Sequence, residues 1–388
     1  MKILLFANTD WYLFNFRRSL AEALRSAGHE ILLISPSGPY GERLQDLGFR
    51  WLPAPMDRRS LNPLRETALL LWLWRLVRKE NVDLVHGFTI KCAIYGSLAA
   101  RLARVPARVN AVAGMGYVFT SQQPLARLLR PIVRLLMRLA LDGEDARLIL
   151  QNPDDVSLFE QARLIQPGRV RLIPGSGVDC SRFVPSAATR CDIDSGPFRV
   201  VLPARLLWDK GIAEYVQAAR LLRAEGLPVE FLLAGAPDVG NPASVPLPAI
   251  QGWVEEGVLQ WLGHVEDMPA LFQSVHVAVL PSYREGLPKG LIEAAACALP
   301  VITTDVPGCR TVVTHIVDGL LIPARDARAL AQAVKQLIED RELREKLGAA
   351  ARKKVLEEFD ERIVVEKTMG VYAELLQPAP TEYAHESK

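Results

Sequence analysis

The chain has 388 residues, of which 49% are apolar and 23% are charged, and its formal net charge at pH 7 is +2. This length excludes a single ordinary hydrophobic core, so we expect two domains of a soluble, enzyme-sized globular protein. The five cysteines show no Cys-x-x-Cys spacing, which excludes a disulfide framework and indicates a reducing compartment; we expect neither a zinc site nor a nucleic-acid partner.

The charge is unevenly distributed along the chain. Residues 1–185 contain 25 Lys and Arg against 16 Asp and Glu, whereas the remainder contains 21 against 28. A basic N-terminal half suggests that one domain meets an anionic partner or surface. The first residues have the pattern of a strand rather than a signal peptide, and the longest apolar run, 68–77, is half of the ~20 residues that span a bilayer. These features predict a cytoplasmic protein.

Short apolar runs alternate with longer amphipathic ones in the first half. The predicted strands are 2–7, 30–35, 82–87, 107–112 and 147–152. The predicted helices between them are 15–27, 62–80, 90–104 and 124–141. This alternation predicts a parallel sheet with helices on both faces.

The pattern then restarts in the second half. The predicted strands are 198–204, 229–235, 258–263, 275–282 and 300–305. A polar segment with Pro and Gly, 181–198, suits a linker. We therefore predict two doubly wound α/β domains facing across a cleft. The N-terminal domain covers 1–183, joined by the C-terminal helix and tail 360–388, and the C-terminal domain covers 184–359.

The stretch PSYREGLPKGLIEAAACALPVI, 281–302, has two glutamates on either side of a glycine-containing helix start. The pattern predicts that the amides of Lys289, Gly290 and Leu291 are unpaired and can bind phosphate, with Pro288 in the first turn. Gly286 and Gly290 allow the backbone a close approach. The alternative is that Glu293 only pairs with Lys289 and that Glu285 is a solvated loop charge.

A second basic site follows the first strand of the second half, in PARLLWDKG, 203–211. Arg205 and Lys210 stand at the strand end and the next helix entry, where a guanidinium and an ammonium can hold a diphosphate. The alternative is a pair of surface bases, although the helix dipole disfavours cations at that position. We therefore favour a bound anion.

The stretches ARLLWDKGIAEYVQAARLL at 204–222, LLAG at 232–235, GHVEDMP at 263–269 and the E-x7-E pair together resemble retaining glycosyltransferases of family 4. The stretch IPGSGVDCSRF at 173–183 resembles that family's domain junction. The resemblance implies the GT-B fold of two Rossmann-like domains. It also implies that Glu285 contacts the donor sugar, that Glu293 holds a ribose, and that Arg205 and Lys210 neutralise a leaving diphosphate. The backbone around Val265 would receive a base, which the family habit makes uracil.

Pattern and resemblance together predict the donor-side residues. The expected catalytic residues are Glu285, Arg205 and Lys210. The expected donor-binding residues are Glu293, Gly286, Leu287, Lys289, Gly290, Leu291, Val265, Gly114 and Gly116. We expect no cofactor besides the UDP-sugar substrate, and no metal. The one Asp-x-Asp, at 192–194, falls in the expected linker.

The acceptor is expected on the first half of the chain. Asn8, Phe14 and Asn15 follow the first strand and offer amides and a ring face to a sugar, or Asn15 caps a helix beside buried aromatic rings. His86 ends a strand and is either a structural group or a cleft residue, and Lys91 can meet an acceptor phosphate. Many family members carry a histidine near 114–119 that this chain lacks, so that role is not transferred.

Two further stretches narrow the expected acceptor. HGFTIK and AGMGYVF resemble a subgroup of bacterial enzymes that extend undecaprenyl-diphosphate-linked sugars. In the segment 124–141, arginines recur with 3, 4, 4 spacing at Arg127, Arg130, Arg134 and Arg138. A basic amphipathic helix of this kind can lie on an anionic membrane surface; the alternative is a helix packed on the sheet with its arginines in water.

The sequence thus predicts a retaining, metal-independent glycosyltransferase that moves a sugar from a UDP-sugar to a lipid-linked saccharide in polysaccharide or glycan assembly. It would act peripherally at the cytoplasmic face of a bacterial inner membrane. Two alternatives stay open: a UDP-sugar epimerase of similar fold, and a nucleotide-sugar-binding protein without turnover.

Overall fold

The structure, a computed structural model, describes residues 1–58, 60, 62–112, 124–185, 196–238 and 240–376. The chain divides into two compact units. The first contains Met1–Ser176 together with the C-terminal segment that begins at Val364, and the second is Gly177–Ile363.

The first unit is built on a seven-stranded parallel sheet in the order β3-β2-β1-β4-β5-β6-β7. Its strands are β1 Lys2–Phe6, β2 Glu30–Ser35, β3 Arg50–Pro53, β4 Leu84–Phe88, β5 Ala107–Ala111, β6 Ala146–Leu150 and β7 Val170–Leu172. Its helices are α1 Asp10–Tyr12, a π-helical turn Leu13–Arg17, α2 Arg18–Ser26, α3 Tyr40–Asp46, α4 Pro63–Glu80, α5 Ile90–Ala103, α6 Pro124–Leu141 and α7 Pro153–Gln161.

The second unit has a six-stranded parallel sheet in the order β10-β9-β8-β11-β12-β13. Its strands are β8 Phe198–Pro203, β9 Val229–Ala234, β10 Gln260–Gly263, β11 Val277–Leu280, β12 Val301–Thr304 and β13 Leu320–Ile322. Its helices are α8 Ile212–Ala224, α9 Leu247–Glu255, α10 Met268–Gln273, α11 Lys289–Ala296, α12 Cys309–Val312, α13 Ala327–Glu339, α14 Arg341–Lys354 and the start of α15 Glu361–Leu376, most of which belongs to the first unit.

Buried strands explain why the apolar runs are continuous rather than alternating. Both faces of each parallel sheet carry helices, so neighbouring side chains on a strand are all covered. In β1, Ile3, Leu4, Leu5 and Phe6 are at most 1% exposed. The two predicted doubly wound sheets are therefore confirmed.

Several elements differ from the prediction in detail. Three short strands, β3, β7 and β13, were not predicted, since three or four residues carry little pattern. The predicted helix 15–27 is interrupted by the π-helical turn that ends at Arg17. Near the C-terminus, α13 and α14 are separated at Asp340, whose carboxylate accepts a hydrogen bond from the Leu343 amide at 2.8 Å and so caps the second helix.

Candidate functional site

The candidate site lies at the carboxyl edge of the second unit's sheet, after β8 and β11. These strands are neighbours, while β9 lies on the other side of β8, so the winding direction reverses between them. Open α/β sheets bind ligands in the crevice at such a reversal. The segments that follow the two strands, 204–211 and 281–288, contain the expected catalytic residues Arg205, Lys210 and Glu285.

The structure brings Lys210 and Glu285 into direct contact. The Lys210 Nζ lies 2.5 Å from the Glu285 Oε1. Their side chains are only 16% and 11% exposed. The ion pair therefore joins the two strand-end segments and holds one cation and one carboxylate at the sheet edge.

Hydrogen bonds to backbone carbonyls hold the Glu285 loop in place. The Tyr283 amide and the Ser282 hydroxyl both donate to the Asp209 carbonyl, at 2.8 and 3.0 Å. The Thr304 hydroxyl donates to the Ser282 carbonyl from the next strand. The loop is thus tied to the turn that contains Lys210, which preorganises the ion pair.

The Tyr283 side chain adds a second anchor for this loop. Its hydroxyl donates to the Glu214 carboxylate, 2.8 Å from each oxygen, and the Arg325 guanidinium lies 3.9 Å from its ring centroid. Burial, reinforced by the Glu214 charge, raises the pKa of Tyr283 to about 12. The phenol therefore stays protonated and keeps its donor role at neutral pH.

Two glycines allow the segments to lie this close. Gly211 has φ +73°, and a Cβ there would lie 2.0 Å from the Pro281 carbonyl oxygen. Gly308 has φ +79°, and a Cβ there would lie 2.5 Å from the carbonyl oxygens of both Glu285 and Gly286. Any side chain at these positions would displace the backbone that carries the ion pair.

The start of α11 corrects two expectations. Pro288 is the N-cap residue, and the helix begins at Lys289. The Leu291 amide is not unpaired: it donates to the Pro288 carbonyl at 3.1 Å. The start of α11 therefore offers fewer unpaired amides to a phosphate than predicted. A Cβ on Gly290 would lie 3.1 Å from the Pro203 carbonyl oxygen, so this glycine serves helix–strand packing.

Glu293 lies one turn into α11 and faces a largely buried environment. Burial raises the pKa of its carboxyl, while the charges of Lys289 and Arg182 lower it. A carboxyl in such surroundings is a strong hydrogen-bond acceptor when ionised, because water does not compete for it. This placement is compatible with the expected contact to hydroxyl groups.

Arg205 lies after β8 and is the most exposed of the predicted catalytic residues. Its side chain is 67% exposed and forms an ion pair with Asp238, with 3.0 Å between Nη1 and Oδ2. Asp238 also accepts a hydrogen bond from the Asn241 side chain at 3.0 Å. The guanidinium thus keeps most of its donors facing solvent. Val265 and Leu287 are both half-buried and pack against the core of this unit.

The residues predicted after β1 lie in the first unit. Asn8 and Phe14 are half-buried, and the Phe14 ring lies 5.3 Å from that of Tyr40. Asn15 is exposed and donates to the Trp11 carbonyl at 3.0 Å. The helix cap considered for Asn15 belongs instead to Thr9, whose hydroxyl accepts from the Tyr12 amide at 3.1 Å.

His86 and Lys91 flank the end of β4 and have structural partners. His86 is fully buried, and its Nδ1 lies 2.5 Å from the Tyr372 hydroxyl. Lys91 donates to the Asp57 and Ser60 carbonyls and forms an ion pair of 2.8 Å with Glu66. The predicted acceptor role of both residues stays a prediction.

Some predicted positions lie outside the described residues, namely Gly114, Gly116 and the Asp-x-Asp at 192–194. Within the described part of the chain, no group of three His, Cys, Asp or Glu side chains is arranged to hold a metal ion.

Sequence reasoning missed the residues that hold the site together. They are Asp209, Gly211, Glu214, Asp238, Ser282, Tyr283, Thr304 and Gly308. The signal available for most of them was their position just after a strand end or helix start. The contacts that these residues make are distant along the chain, however. Ser282 and Thr304 are 22 residues apart, and Asp209 and Ser282 are 73 residues apart. The ion pair that they support joins residues 75 apart.

Helix α6 exposes apolar side chains as well as arginines, so its apolar residues are not all packed against the sheet. Met137 and Ala140 are buried, whereas Leu128, Ile132, Leu135 and Leu139 are 74%, 58%, 58% and 44% exposed. The side chains of Arg134 and Arg138 are also exposed, and that of Arg127 lies outside the described residues. None of the helices in the described ranges has the length and apolarity that crossing a bilayer requires.

Solved structures with the same arrangement of two sheets identify the fold class of this chain. Anabaena HepE in complex with UDP superposes with a TM-score of 0.77 at 19% identity, covering 96% of this chain and 100% of that one. WaaG, a glycosyltransferase involved in lipopolysaccharide biosynthesis, gives a TM-score of 0.71 at 16% identity, covering 96% and 99%. The two-sheet architecture is that of the GT-B glycosyltransferases.

Two family models define the chain further. Residues 15–175 match the glycosyl transferase 4-like domain, and residues 190–354 match glycosyl transferases group 1. The chain therefore belongs to the glycosyltransferases that join these two domains, which confirms the resemblance to a two-domain glycosyltransferase found in the sequence.

Two relatives are similar over most of their length. The N,N'-diacetylbacillosaminyl-diphospho-undecaprenol alpha-1,3-N-acetylgalactosaminyltransferase of Campylobacter jejuni is 27% identical over 386 residues, covering 97% of this chain and 100% of that enzyme. The UDP-Gal:alpha-D-GlcNAc-diphosphoundecaprenol alpha-1,3-galactosyltransferase of Escherichia coli is 25% identical over 354 residues, covering 89% of each chain.

Proposed function

We propose that this glycosyltransferase moves a sugar from a UDP-sugar to an undecaprenyl-diphosphate-linked saccharide, with retention of configuration and without a metal ion. The observation that carries the proposal is the Lys210–Glu285 ion pair at the winding reversal of the second sheet. The names of the two relatives, which both act on undecaprenol-diphosphate saccharides, support the acceptor class.

The proposed chemistry follows from where negative charge develops. Breaking the bond between sugar and diphosphate builds charge on the departing nucleoside diphosphate. Lys210, the solvent-facing donors of Arg205 and the start of α11 can stabilise that charge without a metal. Removal of one preorganised donor of this kind costs roughly 10²–10³ in rate.

Retention needs no additional protein base in this proposal. The acceptor hydroxyl attacks the cation-like sugar carbon on the face that the diphosphate leaves. The hydroxyl proton passes to an oxygen of that diphosphate. Glu285 then acts on the donor sugar and on the position of Lys210, rather than as a proton acceptor.

The acceptor would be met at the cytoplasmic face of a bacterial inner membrane. The exposed apolar stripe of α6, Leu128, Ile132, Leu135 and Leu139, runs beside exposed arginines. Apolar side chains can insert at the level of the lipid headgroups, while each basic residue near an anionic surface contributes about 1 kcal/mol. This arrangement supports peripheral binding to anionic lipid.

The test offers the protein a panel of UDP-sugars with a short polyprenyl-diphosphate saccharide and measures UDP release. We expect release that requires acceptor and persists in EDTA, and a product with the anomeric configuration of the donor by NMR. A sugar changed without acceptor would identify an epimerase instead. Nucleotide binding without any turnover across the panel would identify a binding protein.

A further inference from the structure

The first unit has a winding reversal of its own, between β1 and β4, which are neighbours although β2 and β3 lie on the other side of β1. Strand β4 and the segments after the two strands contain three buried side-chain donors without a hydrogen-bond partner in the described chain, namely Arg17 Nε, His86 Nε2 and the Thr89 hydroxyl. Unsatisfied buried donors are rare in folded proteins and call for an explanation.

The protonation state of His86 follows from its neighbours. Burial, together with the Arg17 charge, holds the pKa of His86 well below its ordinary value, so the ring is neutral. Burial raises the pKa of Tyr372, so its hydroxyl keeps the proton. Within the described residues that hydroxyl has no other acceptor than His86 Nδ1. The ring hydrogen therefore lies on Nε2, which faces no acceptor in the described residues.

Arg17 is a buried cation that lacks a carboxylate partner in the described residues. It is 4% exposed, and its Nη2 donates to the Tyr12 hydroxyl at 3.0 Å. It ends the π-helical turn Leu13–Arg17, an irregularity that is common at functional sites. Burying a charge costs free energy unless the charge is paired, so an anion bound at this position would offset the cost of burying Arg17.

Arg17 and His86 both contact the end of the strand that leads into α5. His86 and Arg17 both lie against Phe88, with 4.0 Å between the His86 and Phe88 ring centroids and 4.4 Å from the Arg17 Cζ to the Phe88 centroid. Thr89, the N-cap of α5, has φ +72° and no side-chain capping bond. Strained backbone of this kind concentrates at ligand-binding sites. The uncapped helix start adds amide donors and partial positive charge.

We propose that Arg17, His86 and the first turn of α5 form an anion-binding site that takes a phosphate group of the diphosphate-linked acceptor. The choice of the acceptor as the source rests on the proposed function, whereas phosphate binding as such does not. The first turn, Thr89 to Lys91, is half-buried, so a ligand can approach the donors from that side. Arg17 is then the acceptor-side counterpart of Lys210.

Inorganic pyrophosphate tests the site, titrated by calorimetry in the presence of saturating UDP, which occupies the donor site. The compared variants are Arg17→Gln and Arg18→Gln; Arg18 is the adjacent arginine, with a side chain 40% exposed. We expect Arg17→Gln to weaken pyrophosphate binding roughly tenfold or more, since hydrogen bonds to charged groups are strong, and Arg18→Gln to leave it unchanged. Equal affinities in the two variants would overturn the site.

Enzyme kinetics with the same variants tests whether the bound phosphate belongs to the acceptor. With a short polyprenyl-diphosphate saccharide, we expect Arg17→Gln to raise the KM for acceptor by a similar factor and to leave the affinity for UDP unchanged. A loss of UDP affinity instead, or an unchanged KM for acceptor, would overturn the assignment to the acceptor. If no donor supports transfer, the proposed function fails, while the pyrophosphate titration still decides the site.

A measurement on the unaltered protein covers the case in which Arg17→Gln does not fold. In protein with ¹⁵N-labelled histidine, pyrophosphate should shift the His86 Nε2–H resonance, assigned by its loss in His86→Gln. The other five histidines serve as internal references. An Nε2–H resonance that does not respond at saturating pyrophosphate would refute the contact.

Discussion

Replacing Glu285 by Gln tests the central ion pair with little change in shape. The Lys210–Glu285 contact is 2.5 Å long and both side chains are mostly buried. Losing a hydrogen bond between charged groups in such a place costs about 1.5–3 kcal/mol. For a domain of this size that corresponds to a fall in Tm of roughly 3–12 °C.

The same change should affect catalysis more than binding. Because Lys210 remains and is released toward the diphosphate, we expect UDP affinity to stay within a few-fold of the unaltered protein. Transfer should fall roughly 10²–10³-fold, the usual effect of losing one preorganised polar group. Calorimetry with UDP and initial rates of UDP release measure the two quantities separately. Glu255→Gln, at an exposed glutamate at the end of α9, is the matched control.

A double-mutant cycle completes the test. Lys210→Met, Glu285→Gln and the double variant are compared by denaturant unfolding, and we expect a coupling energy of about 1–3 kcal/mol. Additive effects on stability would show that the pair does not hold the two segments together. An unchanged transfer rate in Glu285→Gln would refute its role in the reaction, whatever its effect on stability.

Three further predictions follow from other contacts. Gly308→Ala should lower stability by about 1–3 kcal/mol and reduce transfer, because the residue has a positive φ and no room for a Cβ; a Tm equal to that of the unaltered protein would contradict this. Ile132→Glu combined with Leu135→Glu should reduce sedimentation with anionic liposomes while Tm stays unchanged, since both side chains are exposed; unaltered sedimentation would argue against the stripe. The Arg50 hydrogen bonds hold the pKa of Glu80 below its ordinary value, so this carboxylate stabilises the fold above the unfolded pKa and that contribution is lost as the pH falls through the lowered one. The destabilisation caused by Glu80→Gln in urea unfolding should therefore be larger at pH 7 than in strong acid, and a pH-independent difference would refute it.

Much of the fold could be predicted because local patterns agree with the tertiary arrangement. Buried parallel strands need continuous apolar runs, and runs such as 2–7 and 229–235 became β1 and β9. Strand-end polar residues could also be found, because the carboxyl edge of a parallel sheet is where the chain leaves the core. Glu285 and Lys210 were identified in this way.

The errors arose where the local backbone conformation, rather than the residue type, decides which groups form a hydrogen bond. The Leu291 amide was expected to be unpaired, yet the Pro288 carbonyl turns toward it in the tight first turn. The cap at Thr9 rather than Asn15 depends on the backbone angles at the end of the loop after β1, which polar composition alone does not specify. Arg17 gave no signal at all, since an arginine beside another arginine usually faces water.

The sequence by itself determined the two doubly wound sheets, the order of their elements and the family, because apolar periodicity and strand-end motifs are local properties of the chain. Only the tertiary structure decided that Lys210 and Glu285 form one ion pair across 75 residues, and that Arg17 and His86 share the ring of Phe88. The physical reason is that burial and pairing depend on which segments the sheet order brings side by side. A charged residue has the same letter whether it lies in water or in the core, and its chemistry is set by those neighbours.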